Sequence, residues 1–163
     1  MKQLDKRSLL LAGAVALFVA ASVVASLTGY RFWSDRQAEQ NRSSSVVVAS
    51  DTVEALFSYD FNTAEKDLPK AAEKLTSDYR DSYMKVIQDQ AIPTAKEKKL
   101  SVQTTVQATG VIATTRDHAT VLVIANQRFS STDSPQDTLM SDRLHVELTK
   151  KDGQWLVSDI KPV

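Results

Sequence analysis

The side chains able to do chemistry are few and scattered. Asp60, Glu147 and Asp159 are the carboxylates that stand where a pocket between helices and a sheet would want a general base. Burial raises a carboxyl pKa and makes it a useful base, whereas a solvated carboxylate keeps its ordinary weak basicity. Each of the three has a plainer reading: Asp60 closes a helical stretch, Glu147 alternates with apolar neighbours, and Asp159 lies among polar residues near the C-terminus. His118 falls in a turn and His145 at a polar strand position, without the partner spacing of a four-ligand zinc site. There is no cysteine, hence no disulfide and no thiolate ligand. Phosphate-binding glycine loops, dinucleotide motifs and nucleophile elbows are absent, and no serine has a recognisable base beside it. No catalytic, cofactor-binding or metal-ligating residue is therefore assigned, and the expectation is a protein that is not an enzyme and uses no cofactor.

The elements that would position these side chains change type at Leu100. Before it, spacings of three and four dominate: Val46, Ala49, Val53 and Leu56 line one helical face, and Leu68, Ala71, Ala72 and Leu75 a second. The β-branched run Val46 to Val48 weakens the first helix locally, and Pro69 is tolerable in the second only if it lies in the first turn. Thr76 and Ser77 are N-caps for a third helix carrying Tyr79, Tyr83, Val86 and Ile87, which Pro93 ends or kinks.

From Leu100 the period is two. Leu100, Val102, Thr104, Val106 and Ala108 share a strand face, with a bulge or bend expected at Gly110. ATVLVIANQRF is apolar on both faces and reads as a central strand. Leu144, Val146 and Leu148 alternate in a third strand, and Asp152-Gly153 turns the chain into the fourth, QWLVSDIKPV. Trp155, just after that turn, is expected to plug the space between sheet and helices. Helices followed by four antiparallel strands predict an α+β fold, with helices on one face of a curved sheet that can enclose a cone-shaped pocket.

Upstream, Ser8 to Tyr30 carries no charge and is long enough to span a bilayer. A cleaved signal peptide competes, because Val24-Ala25-Ser26 offers small residues, but signal cores run to about 7–15 residues and the length favours an uncleaved anchor. Lys2, Lys6 and Arg7 place the N-terminus inside. Phe32 and Trp33 then suit the headgroup region. The resulting layout is a cytoplasmic N-terminus (1–7), a transmembrane anchor (8–30), a juxtamembrane linker or helix (31–45) and an extracytoplasmic α+β domain (46–163). Ser43 to Ser45 reads either as a flexible joint or as a helix start, and Asn41-Arg42-Ser43 matches the short glycosylation pattern. Three of the 20 basic residues and one of the 20 acidic ones precede the apolar run, which leaves the remainder mildly acidic and without a footprint for nucleic acid.

Taken in order behind the apolar run, VEALFSYDFNT, LTSDYRDSYMKVI, IPTAKEKKLSVQTTVQATGV, ATVLVIANQ and DGQWLVSDIKPV resemble the Mce-associated membrane proteins of actinobacteria, over about Val53 to Val163. Ser77 stands where that family often has glycine. The last segment also resembles the closing hairpin of the nuclear-transport-factor-like, or cystatin-like, superfamily. The anchored architecture is similar to the assembly-factor subunit of type IV secretion systems. The resemblance implies a single-pass protein of the cytoplasmic membrane that supports Mce lipid-import complexes, with Mce transporter subunits and the membrane as partners and room for a homo-oligomer. It brings no catalytic or binding residues to transfer. Two alternatives stay open: a lipid-binding or isomerase-like domain using the pocket of the fold, and an assembly subunit of a secretion channel.

Overall fold

The computed structural model describes residues 39–132 and 136–163. The expected cytoplasmic segment, anchor and interfacial aromatics lie outside the described residues, among which no helix is long and apolar enough to cross a membrane. A long helix, α1, is described over residues 39–57. It is followed by α2 (Ala64–Ala71) with a short 3-10 turn (Ala72–Lys74), α3 (Ser77–Val86), a π turn (Ile87–Ala91) and α4 (Ile92–Glu97). Four strands complete the chain: β1 (Leu100–Thr114), β2 (His118–Ser131), β3 (Thr138–Lys151) and β4 (Gln154–Pro162). They form one curved antiparallel sheet in the order β1-β2-β3-β4 with the helices packed on it, an α+β fold.

Burial explains why α1 is helical despite its valines. Ala49, Val53 and Leu56 are buried on the predicted face and join Val121, Val123, Val146, Leu148 and Val157 of the sheet in one core. The apolar contact outweighs the few tenths of a kcal/mol per residue that β-branching costs a helix. The serine run lies inside this helix, with Ser45 fully buried and Asn41 nearly so, and the compact unit begins at Gln40. Residues 40–45 thus belong to the packed unit, and the helical reading of that stretch replaces the flexible joint.

Both prolines act differently from the sequence expectation. Pro69 is the sixth residue of α2, past the first turn, and that helix ends two residues later in the 3-10 turn. Pro93 neither ends nor breaks its helix: the chain continues into α4, with Pro93 at its start, after widening into the π turn. A π turn relaxes the backbone pattern that a proline cannot satisfy. On α3, Val86 is 53% exposed, while Ile87, one position later, is buried. Thr76 occupies the N-cap position but makes no side-chain cap; its N–H donates to Val157 O (2.9 Å) and its carbonyl accepts from Arg80 N (2.8 Å).

In β1 the expected irregularity is displaced and doubled. Gly110 pairs regularly with Leu122, and the extra residues are Gln107 and Ile112, one on each side. Each bulge reverses which side chains face the helices. Val102, Thr104 and Val106 point inward, then Thr109 and Val111, then Thr114, while Ala108 is exposed. β2 is central as expected, but only Ala119, Val121, Val123, Ala125 and Gln127 are buried; Leu122 and Ile124 on the other face are half-buried. The Asp152-Gly153 turn has positive φ at both residues (51° and 80°), the geometry a two-residue hairpin requires.

Candidate functional site

The place to look for a site is the concave side of the sheet, where related curvature can leave a pocket. Here that space is filled. Leu75, Val53, Val121, Val123, Val146, Leu148 and Val157 have essentially no exposure, and Trp155 is 7% exposed and part of the same cluster. The indole Nε1 donates to Ser44 Oγ of α1 (3.0 Å), and the Lys150 ammonium lies 5.3 Å from the ring centroid, within cation-π range.

The carboxylates lie outside the concave face, Asp60 apart from the other two. Asp60 follows α1 as a fully exposed turn residue: its Oδ1 accepts from the Asn62 N–H and Nδ2 (both 2.9 Å), and its Oδ2 accepts from Ser101 Oγ (2.7 Å). The Ser101 hydroxyl and then the Asn62 amide hold its pKa below the ordinary carboxylate value, the reverse of what a general base requires. Glu147 and Asp159 face each other across β3 and β4 on the outer face of the sheet. Asp159 pairs with Lys161, whose pKa that hydrogen bond raises, with the charges of Asp159 and Glu147 adding to it. His118 is exposed, its Nδ1 3.5 Å from Thr149 Oγ1, and His145 lies opposite Leu122 on the outer face. Among the described residues no three His, Asp or Glu side chains converge on a point.

What the structure does assemble is a pair of seams holding α1 to the sheet, neither of which the sequence patterns disclose. At the N-terminal seam, Asn41 Nδ2 donates to the carbonyls of Thr115 (3.4 Å) and Arg116 (3.3 Å), and Asn41 Oδ1 accepts from Lys150 Nζ (2.8 Å). Asn41 of the glycosylation pattern is thus a buried structural residue. At the C-terminal seam, the outer edge of β1 is capped group by group. Val102 exchanges both backbone bonds with Tyr59, the Thr104 N–H donates to Ser58 Oγ (2.9 Å), and the Val106 N–H donates to Glu54 Oε1 (2.8 Å). Thr104 Oγ1 also donates to Phe57 O (2.7 Å). The partners are far apart in sequence, by 46 residues for Ser58 and Thr104 and 109 for Asn41 and Lys150, so no local spacing announces them.

Clefts lined by described residues open beside this core, two of which adjoin α1 or the turn that follows it. The larger, about 1000 Å³, runs between α1, α2 and the start of β4, with apolar walls from Val48, Ala55, Ala71, Trp155 and Leu156 and a rim of mixed charge that includes Asp51 and Lys74. The smaller, about 380 Å³, adjoins Asp60, Ser101 and Arg128. In the smaller cleft the Ser101 hydroxyl donates to Asp60, whose lowered pKa makes it a weak base.

A family model matches residues 8–163, and its description reads "Uncharacterized protein Rv1363c/MT1408-like". The chain belongs to the Rv1363c/MT1408-like family. Similar proteins include "Outer membrane protein Rv1973" of Mycobacterium tuberculosis, 35% identical over 135 residues that cover 80% of this chain and 83% of that protein. "Uncharacterized protein Rv1362c" of the same organism is 30% identical, with coverage of 91% and 70%. Among solved structures, this Rv1363c/MT1408-like chain is similar to an IcmL-like type IV secretion system protein of Legionella pneumophila (TM-score 0.64, 13% identity, 75% of this chain and 91% of that one). It is also similar to the periplasmic domain of DotI (TM-score 0.64, 15% identity, 74% and 94%) and to Agrobacterium tumefaciens VirB8 (TM-score 0.54, 11% identity, 76% and 92%). At these identities the likeness is one of fold.

Proposed function

We propose that this protein is a non-enzymatic, membrane-anchored accessory subunit that stabilises an Mce-type lipid import complex, with residues 8–30 as the anchor and the α+β domain outside the cytoplasmic membrane. The observation that carries the reading is the packing of the concave face: Trp155 and the valines of the sheet pack against α1, and the cleft that Trp155 borders opens beside that face, between α1, α2 and the start of β4. The placement of Asp60 in an exposed turn, and of Glu147 and Asp159 as neighbours on the outer face of the sheet, agrees with it. Its relatives' names place one of them in a mycobacterial outer membrane, and the uncharged Ser8 to Tyr30 run fits a protein of the envelope. The Mce assignment itself rests on the ordered sequence segments.

A second reading, an assembly subunit of a secretion-type envelope complex, is favoured by one observation, the fold shared with the IcmL-like protein, DotI and VirB8. Affinity purification of the full chain from detergent-solubilised membranes separates the two. Co-purifying Mce subunits, and their loss in a deletion strain through degradation of unassembled partners, is the expected result. Recovery of a secretion ATPase instead supports the second reading. Single Asp60→Asn, Glu147→Gln and Asp159→Asn substitutions should leave lipid uptake intact. If one of them abolished uptake at unchanged protein and partner abundance, the non-enzymatic reading would be wrong.

A further inference from the structure

The outer face of the sheet, opposite the helices, is divided lengthwise. Its β3–β4 half carries charge, with Arg143 and Glu147 on one strand and Asp159 and Lys161 on the next. β1, and β2 as far as Gln127, contain no Lys, Arg, Asp or Glu. On that uncharged half, Leu122 and Ile124 of β2 form a half-buried apolar ridge. Beside it, Ala108, Gly110 and Ala113 of β1 are small and exposed.

Gly110 has no conformational reason to be glycine. Inside a strand, glycine weakens pairing and marks a bulge, a bend, a backbone closed to other residues, or a close approach from outside. Gly110 pairs regularly with Leu122, its φ is not positive, and the bulges that bend β1 fall at Gln107 and Ile112. A Cβ placed on it would meet nothing within 4 Å, so nothing described in this chain requires the space above it to be clear. Close approach from outside remains.

The geometry points to a second copy of this chain as the occupant, its outer face laid on this one about a two-fold axis parallel to the strands and between β1 and β2. Such an axis exchanges the two strands and keeps height along them. Within each sheet Gly110 pairs with Leu122, Ala108 with Ile124 and Ala113 with Thr120. The operation therefore seats Leu122 of each copy over Gly110 of the other, and Ile124 over Ala108, large residues on small ones in both directions. It also carries β3 and β4 past the partner's β1 edge, so their charges stay in water and none is buried unpaired. The outer face is convex, so the copies touch along a band two strands wide. At about 4.8 Å per strand and about 3.3 Å per residue, that band covers roughly a few hundred Å² per copy, short of the about 800 Å² of a lasting complex. The pair is transient and has to be trapped.

With no native cysteine, one introduced thiol reports the contact. In the pair, the Cα atoms of residue 108 stand about 11 Å apart, from a sheet separation of about 10 Å and a sideways step of about 4.8 Å. In intact cells expressing the full chain, a membrane-permeant bis-maleimide with a short spacer should join Ala108→Cys into a homodimer, whichever compartment holds the domain. Val86→Cys, exposed on α3, should not be joined. Adding Gly110→Leu to Ala108→Cys places a leucine where the partner's Leu122 sits, and the yield should fall about tenfold or more. The melting midpoint should be retained, because the position is open within the chain. Adding Leu122→Ala as well exchanges the large and small positions and should restore the yield. A face that accepts any apolar partner would instead give more product with Gly110→Leu. That result, equal yields from Ala108→Cys and Val86→Cys, a product joined to a different polypeptide, or no rescue by Leu122→Ala would overturn the proposal.

Discussion

Helices α1 and α3 make opposite use of an amphipathic pattern. α3 has the tidier sequence, with tyrosines at helical spacing and a polar opposite face, yet none of its residues is fully buried. α1 contains a serine run and consecutive valines, and it carries Ser45, Ala49, Thr52 and Val53 at zero exposure. The difference lies in what each helix meets. α1 crosses the concave face and is tied to the sheet by polar groups at both ends, whereas α3 lies outside, its ring-bearing side chains half-buried against α1 and β4. A helix is integrated by the partners its polar residues find, and periodicity reports only the apolar part of that.

The comparison breaks most severely at the residue that joins α1 to the sheet. Trp155→Ala should destabilise the protein by about 3–5 kcal/mol in a denaturant melt, the range for removing a large core aromatic. A loss under 1 kcal/mol would mean that the indole does not hold α1. Asn41→Ala leaves the Lys150 ammonium and two backbone carbonyls without their partner and should cost about 1–3 kcal/mol.

These two residues also mark how far the sequence could be read. The apolar faces of α1 and β3, the Asp-Gly hairpin and the burial of Trp155 follow from short-range rules, and the structure bears them out. The bulges at Gln107 and Ile112 do not, because a slip in register depends on the partner strand. The same holds for Asn41 with Lys150 and for Glu54 with Val106, which meet only once the chain has folded back. The three carboxylates show the limit for chemistry: their types were visible, but exposure, and with it basicity, is a property of the fold.

Smaller effects sharpen the contrast. Thr52 Oγ1 is buried in α1 without a hydrogen-bond partner, so Thr52→Val, which keeps the shape, should stabilise by about 1 kcal/mol, read as a raised denaturation midpoint. On α3, Tyr83 OH donates to Leu56 O (2.9 Å), and Tyr83→Phe should cost about 1 kcal/mol near neutrality. The same substitution changes the alkaline limb. Burial, with smaller contributions from Tyr79 and Tyr59, raises the pKa of Tyr83 well above the usual 10.0, so the folded state favours the protonated phenol. That contribution is complete below pH 10.0 and is lost as pH climbs through the raised value, a sign shared by the buried-side shifts of Tyr59 and Tyr79. Tyr83→Phe should therefore lose less stability between neutral and strongly alkaline pH than the parent; a steeper loss would refute the assignment. Val86→Ser, on the exposed face, should change stability by less than about 0.5 kcal/mol.

The ties between Ser44 and Trp155 and between Asn41 and Lys150 bridge 111 and 109 residues of sequence. At about 5–20 residues per second, a ribosome needs roughly 5–20 s to make the partner after the helix has emerged. Until then α1 can engage β1 through Glu54 and Ser58, but its apolar stripe lacks Val146, Leu148, Trp155 and Val157 of β3 and β4. The core around α1 is thus completed only once β3 and β4 have been made and their hairpin closes on it.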